Sequence, residues 1–142
     1  MKVFGDIELW RDNAFAALES LVQRQRSRDP HCLDAAFKAY PFFEMVFELD
    51  ADGVQRFPNW INPVMYGRIR AGGVGVDRSA QDYFAKVAAS RENYVSTIYL
   101  SSASEDFCLT LSQPLFDSQG LFNGVLVADL NLASMAALLD RG

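Results

Sequence analysis

The sequence predicts an α+β fold, a five-stranded antiparallel sheet flanked by helices and led by a long amphipathic N-terminal helix. Three observations predict it: apolar residues at helical spacing near the N-terminus, a switch to period two just after Pro41, and turn-rich stretches that separate a hairpin from a three-stranded meander. The 142 residues suit one domain spanning 1–142, with residues 1–28 as the leading helix and 42–132 as the core. A chain of this size buries roughly 68–70% of the surface its unfolded form exposes, enough for a core without disulfide or metal staples.

In residues 6–28, Trp10, Ala14, Ala17, Leu18 and Leu21 form one stripe, widened by Phe15 and Val22, while Arg11, Asp12, Glu19 and Gln23 fall elsewhere. Arg24, Arg26 and Arg28 complement the negative end of that helix. Asp29 and Pro30 then supply the cap and first-turn proline of a short second helix through Leu33, Ala36 and Phe37, which ends near Tyr40-Pro41. Phe43, Met45, Phe47 and Leu49 alternate with Phe42, Glu44, Val46 and Glu48, the pattern of a strand with one face partly wet. Asp50-Ala51-Asp52-Gly53 is a turn, because Asp accepts local backbone bonds and Gly takes positive φ, and residues 54–57 read as the returning strand. Residues 58–76 are a long excursion with one short helix after Pro63. Asp77-Arg78-Ser79 opens the next helix, with Ser79 as N-cap, Asp82 three positions on, and Tyr83, Phe84, Val87 and Ala88 as its buried side. Residues 94–101, 107–115 and 121–130 read as the meander, and Leu132, Met135, Leu138 and Leu139 as a closing helix from Asn131 onward.

Composition excludes several functions. Thirteen Lys plus Arg against 18 Asp plus Glu give a net charge of −5 and a pI of about 4.7, which opposes nucleic-acid binding. Cys32 and Cys108 lie far apart without metal-ligand spacing, so buried free thiols are expected. No stretch approaches the roughly 20 continuous apolar residues of a membrane span, and the charged N-terminus is no signal peptide, so a cytoplasmic location is expected.

Catalytic constellations are scarce. His31 is the only histidine and falls at a helix start, no GxSxG elbow places a nucleophile, and Asp50 and Asp52 lack the downstream Glu of a calcium loop. No enzyme, metal or cofactor is therefore expected. Gly72-Gly73-Val74-Gly75 lacks the Lys and the spacing of a phosphate cradle and reads as a hinge or lid. Trp60, Tyr66, Tyr83, Tyr94 and Tyr99 suit either core and rim or small-ligand recognition. Asp129 shares a strand face with Val125 and Val127, and an unpaired carboxylate there is costly. Either it caps the closing helix or it meets a cationic or hydrogen-donating ligand, with Tyr99 and Ser101 as neighbours.

The order of several short motifs resembles the PDC or Cache sensor family, which has a PAS-like fold. They are Asp50-Ala51-Asp52-Gly53; Gly75-Val76-Asp77-Arg78-Ser79 leading into Asp82-Tyr83-Phe84; Tyr94-Val95-Ser96 and Tyr99-Leu100-Ser101; Leu109 through Leu115; and Gly124 through Leu132. The resemblance implies a small-molecule sensor domain in bacterial signal transduction that binds a small polar metabolite such as an organic acid or amine. It also implies a homodimer formed through the N-terminal helix and a separate signalling output protein. Carried over by position, the family's aromatic pair falls on Tyr83 and Phe84, its strand tyrosine on Tyr99 and its acid on Asp129. Its carboxylate-clamping arginine is replaced by Gln81, which loses a bidentate contact, so Arg78, Arg68 or Arg70 would have to serve. The expected ligand-binding set is Trp60, Tyr66, Arg78, Gln81, Tyr83, Tyr99, Ser101 and Asp129. The alternatives are an interaction or dimerisation module with a vestigial pocket and, for location, the excised extracytoplasmic sensor domain of a membrane receptor.

Overall fold

The computed structural model describes residues 13–20, 37–69, 72–102 and 104–140. The expectations for Trp10, Leu21, the arginines at 24, 26 and 28, the Asp29-Pro30 cap, His31, Cys32 and Arg70 lie outside those residues. Residues 13–20 and 37–39 are helical. The rest runs β1 (Phe43–Leu49), β2 (Trp60–Ile61), a 3-10 turn (Pro63–Met65), α1 (Asp82–Ser90), β3 (Tyr94–Val95), β4 (Tyr99–Leu100), β5 (Phe107–Phe116), β6 (Phe122–Asn131) and α2 (Leu132–Asp140).

The α+β expectation is met, with an antiparallel sheet of six strands in the order β2-β1-β6-β5-β3 and with β4 also paired to β5. Two strands differ from the sequence reading. The stretch 94–101 divides because the Ser96 hydroxyl takes the Thr110 amide at 2.8 Å, so a side chain replaces the next rung of the ladder. Residues 54–57 make only isolated bridges, Leu49 to Gln55 and Val54 to Asp77, because they lie between β1 and the 75–78 loop. The Gln55 amide donates to Val76 O and the Gly75 amide to Gln55 O. The edge beyond β1 is filled by Trp60 and Ile61 instead. The turn before them forms as expected: Asp50 Oδ1 accepts from the amides of Asp52 and Val54, and Gly53 has φ +87 against the Ser79 backbone, where a Cβ would collide.

Both sheet faces are covered, unequally. On one face Phe43, Val46, Leu109, Leu111, Leu126, Ala128 and Leu130 bury with Ala14, Phe15, Ala17 and Leu18 of the N-terminal helical stretch, with Phe37 and with Met135 of α2. On the other face Phe47, Leu49, Val125 and Val127 bury against Phe84 and Val87 of α1. That helix reaches only part of its face, and the strands run on past it to Met45, Thr110, Asp129 and Asn131.

α1 begins at Asp82 with Gln81 in the N-cap position and no side-chain cap, so Ser79 is not the cap. Asp77 Oδ1 instead takes the Ser79 amide in the turn before it. α2 is capped by Asn131, whose Oδ1 accepts from the Ser134 amide at 3.0 Å, and this removes the capping reading of Asp129.

Candidate functional site

A register shift between Phe43 and Met45 builds one wall of the site. Phe43 pairs with Leu130 and Met45 with Asp129, so Glu44 is the extra residue and the strict alternation of β1 breaks there. Phe43 joins the core, whereas Glu44 and Met45 both line the opposite face. The buried Glu44 carboxylate accepts from Asn131 Nδ2 at 2.8 Å and from the Cys108 thiol at 3.4 Å. Burial and then the Glu44 charge push the Cys108 thiol up to about 12, so it remains a protonated, unreactive donor.

Asp129 stands on that face near the end of β6, opposite Thr110 of β5 and Met45 of β1. Its Oδ1 accepts from Thr110 Oγ1 at 3.1 Å and from Tyr99 OH at 3.2 Å, while Oδ2 receives no hydrogen bond among the described residues. Burial raises its pKa from 3.8 to about 6 against the two hydroxyl donors; Glu44 adds to the rise and Arg78 opposes it. The Tyr99 hydroxyl is pushed well above its ordinary value by burial and then by the Asp129 charge, which fixes it as a donor.

Two clefts flank Tyr99. The first, of about 430 Å³, is lined by Glu44, Met45, Arg68, Ile69, Tyr99 and Asp129, with 100–102 at its rim. The second, of about 490 Å³, is lined by Gln81, Tyr83, Tyr94, Thr97, Tyr99 and Thr110 among others. Of the expected residues, Tyr99, Ser101 and Asp129 therefore meet in the first cleft, and Gln81 and Tyr83 in the second.

Arg78 lines neither cleft. Its Nε donates to Gln55 Oε1 at 3.1 Å, its Nη1 to Tyr83 OH at 3.3 Å, and its guanidinium lies 4.7 Å from the Phe47 ring centroid. It orients Tyr83, whose hydroxyl is raised by burial and held back by that arginine. Trp60 packs against the core cluster on the far face and stacks on Phe57, and Tyr66 is 62% exposed at the end of the 3-10 turn. Neither borders the two clefts. The glycine stretch is fastened through Gln55, whose Nε2 donates to Asn59 Oδ1, Phe57 O and Gly72 O.

Sequence reasoning missed Glu44 and Thr110. Thr110 had a signal, a polar residue inside an apolar central strand, whereas Glu44 had none because a bulge leaves the alternation pattern unmarked. Among the described residues no group of three His, Cys, Asp or Glu is placed to hold a metal ion, and no helix is long and apolar enough to cross a membrane.

Comparison with known proteins shows where this architecture recurs. The ligand-binding domain of a Campylobacter jejuni chemoreceptor, solved with 4-methylisoleucine, superposes with a TM-score of 0.62 at 13% identity over 89% of this chain and 53% of that one. A Pseudomonas aeruginosa amino-acid chemoreceptor domain in complex with GABA gives 0.62 at 18% identity over 94% and 58%. A Pseudomonas fluorescens chemoreceptor domain with L-serine gives 0.57 at 16% identity over 92% and 55%. The fold is thus that of the PDC/Cache-type sensor domains, and the chain spans about half the length of these three. A stretch of 96 residues is 25% identical to Citrate (Re)-synthase of Syntrophus aciditrophicus, covering 68% of this chain and 15% of that protein. No family model matches the sequence.

Proposed function

We propose that this chain is a small-molecule sensor domain of bacterial signal transduction and that its ligand is a small polar metabolite presenting an ammonium group to Asp129. The observation that supports this is the Asp129 carboxylate. It is raised to about 6, bonded only through Oδ1 and only by hydroxyls, and it lines a cleft with Oδ2 unbonded among the described residues. An ammonium at Oδ2 would replace lost hydration with a charge-assisted bond and draw the carboxyl back to its ionised form. Structural neighbours solved with GABA and with L-serine, both amines, favour the same ligand chemistry.

We assign no catalytic role. The synthase match covers too small a part of that protein to carry its reaction, and the clefts hold hydrogen-bonding and charged groups without a paired nucleophile and base. We read the chain as one domain that works as a homodimer through its N-terminal helix and reports to a separate output protein from the cytoplasm. Placement outside the membrane is the alternative, as for the extracellular ligand-binding receptor of Desulfohalobium retbaense that shares the fold.

A thermal-shift screen against amines, amino acids and carboxylic acids tests the proposal. A ligand at 100 times its dissociation constant stabilises by about 2.7 kcal/mol, a rise of several degrees for a domain this size. The expected responders carry an ammonium, and Asp129→Asn abolishes their effect. A response confined to acids without an amine would refute the assignment. A flat screen would favour an interaction module instead, whose surface would be the neighbouring Leu100 and Phe107, 63% and 62% exposed.

A further inference from the structure

The second cleft depends on a residue that does not border it. Gln55 is buried, only 1% exposed, and the chain grips both its backbone and its side chain. Its amide N–H donates to Val76 O at 3.0 Å, and its carbonyl accepts from the Gly75 amide at 2.9 Å. Its side-chain Nε2 donates to the carbonyls of Phe57 at 2.9 Å and Gly72 at 3.3 Å, and to Asn59 Oδ1 at 2.8 Å. Turning this amide over would set Oε1 against two backbone carbonyl oxygens, so its orientation is fixed. Gly73, at φ +92, closes over the same amide so tightly that a Cβ there would lie 2.7 Å from Nε2 and 2.8 Å from Oε1.

That orientation leaves Oε1 as the acceptor of the group, and it takes Arg78 Nε at 3.1 Å. A guanidinium is a rigid planar fork, so a bond at Nε together with the Phe47 ring at 4.7 Å sets the direction of its other N–H groups. Arg78 Nη1 donates to Tyr83 OH at 3.3 Å, and Phe47 meets the Tyr83 ring edge-on at 5.6 Å, so one ring packs both partners. Arginine can only donate. The Tyr83 oxygen is therefore an acceptor on that side, and its own proton has no acceptor among the described residues. Tyr83 lines the second cleft with Gln81 and Tyr94, whereas Gln55 and Arg78 line neither cleft.

We infer that Gln55 is the positioning residue of the second cleft: through Arg78 it fixes the Tyr83 hydroxyl so that this group meets an occupant of the cleft only as a hydrogen-bond donor. The inference rests on reading the clefts as a ligand site and adds the residue that sets the polarity of one wall. It also gives the glycine stretch a role, as the support that holds the Gln55 amide in place from a position outside the cleft. The second cleft then favours an occupant that turns an acceptor atom toward Tyr83 over one that offers only donors.

The test is nuclear magnetic resonance of the full chain carrying isotope-labelled arginine and tyrosine, with no ligand added; Arg78→Lys and Tyr83→Phe assign the two signals. The Arg78 Nε proton should exchange with water about tenfold or more slowly in wild type than in Gln55→Met, as one charge-assisted hydrogen bond requires. Gln55→Glu keeps an acceptor for Arg78 and should retain most of that protection. Gly73→Ala acts on the Gln55 amide itself, and it should shift the Tyr83 ring-carbon signal in the same direction as Gln55→Met and Arg78→Lys. Should Gln55→Met fail to fold, exchange in wild type against Gly73→Ala supplies the same comparison. Equal exchange rates with and without the Gln55 acceptor, or a Tyr83 signal that moves in Arg78→Lys alone, would make Gln55 a purely structural residue and overturn the inference. A Tyr83 hydroxyl proton in slow exchange would overturn it too, because a protein acceptor would already hold that proton. None of these readouts needs a ligand, so their failure leaves standing the sensor reading, which the thermal-shift screen tests separately.

Discussion

At the scale of single residues, Asp129 is held in two opposed demands. The sheet needs a residue that packs beside Val127 and bonds Thr110, and a neutral carboxyl does this well; a ligand ammonium needs the ionised form. Its pKa in the folded chain is about 6 against 3.8 for the free group, so the folded state binds the proton more tightly than the unfolded state. The stability from this group is complete below pH 4 and is lost as the pH rises through 6, a total on the order of 1–3 kcal/mol. Urea denaturation of ligand-free protein between pH 4.5 and 7 should therefore show a fall that Asp129→Asn removes. Wild type and mutant with equal slopes would mean that Asp129 ionises without penalty. Stabilisation by a bound amine should follow the opposite trend and grow between pH 5 and 7, because the ligand favours the carboxylate.

The elements show what a sequence pattern can and cannot reveal. β5 and β6 were readable because their residues alternate over ten positions between two buried faces, and the turn at 117–120 is marked by Asp117 and Gly120. Tyr99, Ser101 and Asp129 were readable as a cluster because strand order alone brings them to one end of one face. β1 was read with Phe43 and Glu44 on the wrong faces, because a single extra residue inverts the alternation and no local residue type announces it. Arg78 was expected in the pocket, yet its role depends on Gln55 and Phe47, which sit 23 and 31 positions away in the chain and give no local signal. Asn131 shows the same limit, since it joins two elements: its Oδ1 caps α2 while its Nδ2 serves Glu44 and Asp106. Asn131→Ala should cost about 1–3 kcal/mol through the lost cap and the stranded Glu44 carboxylate. Asn131→Ser keeps a capping oxygen and should recover part of that loss in chemical denaturation. Equal losses for the two variants would place the whole cost on Glu44.

For the molecule as a whole, the N-terminal helical stretch decides between a domain that is stable alone and one completed by its partner. Ala14, Phe15, Ala17 and Leu18 are buried in the chain's own core, Leu18 completely, against the sheet face that carries Leu126 and Leu130. The described part of the amphipathic stripe is thus used within the chain, and among residues 13–20 the exposed positions are Asn13, Ala16 and Glu19. Removing the Leu18 side chain should therefore destabilise the fold rather than only an interface. Leu18→Ala at a fully buried site costs about 2–5 kcal/mol, a fall of roughly 5–15 °C in melting temperature for a chain of this size. Because the contact is internal, the fall should be the same at low and high micromolar protein concentration, whereas loss of a subunit contact would depend on concentration through mass action. Melting curves of wild type and Leu18→Ala across a hundredfold concentration range separate the two. A difference that vanishes on dilution would show that Leu18 stabilises the assembly and not the single chain. If the chain forms the homodimer proposed above through the face bearing Ala16 and Glu19, Ala16→Arg should halve the mass seen by light scattering while leaving the dilute melting temperature unaltered.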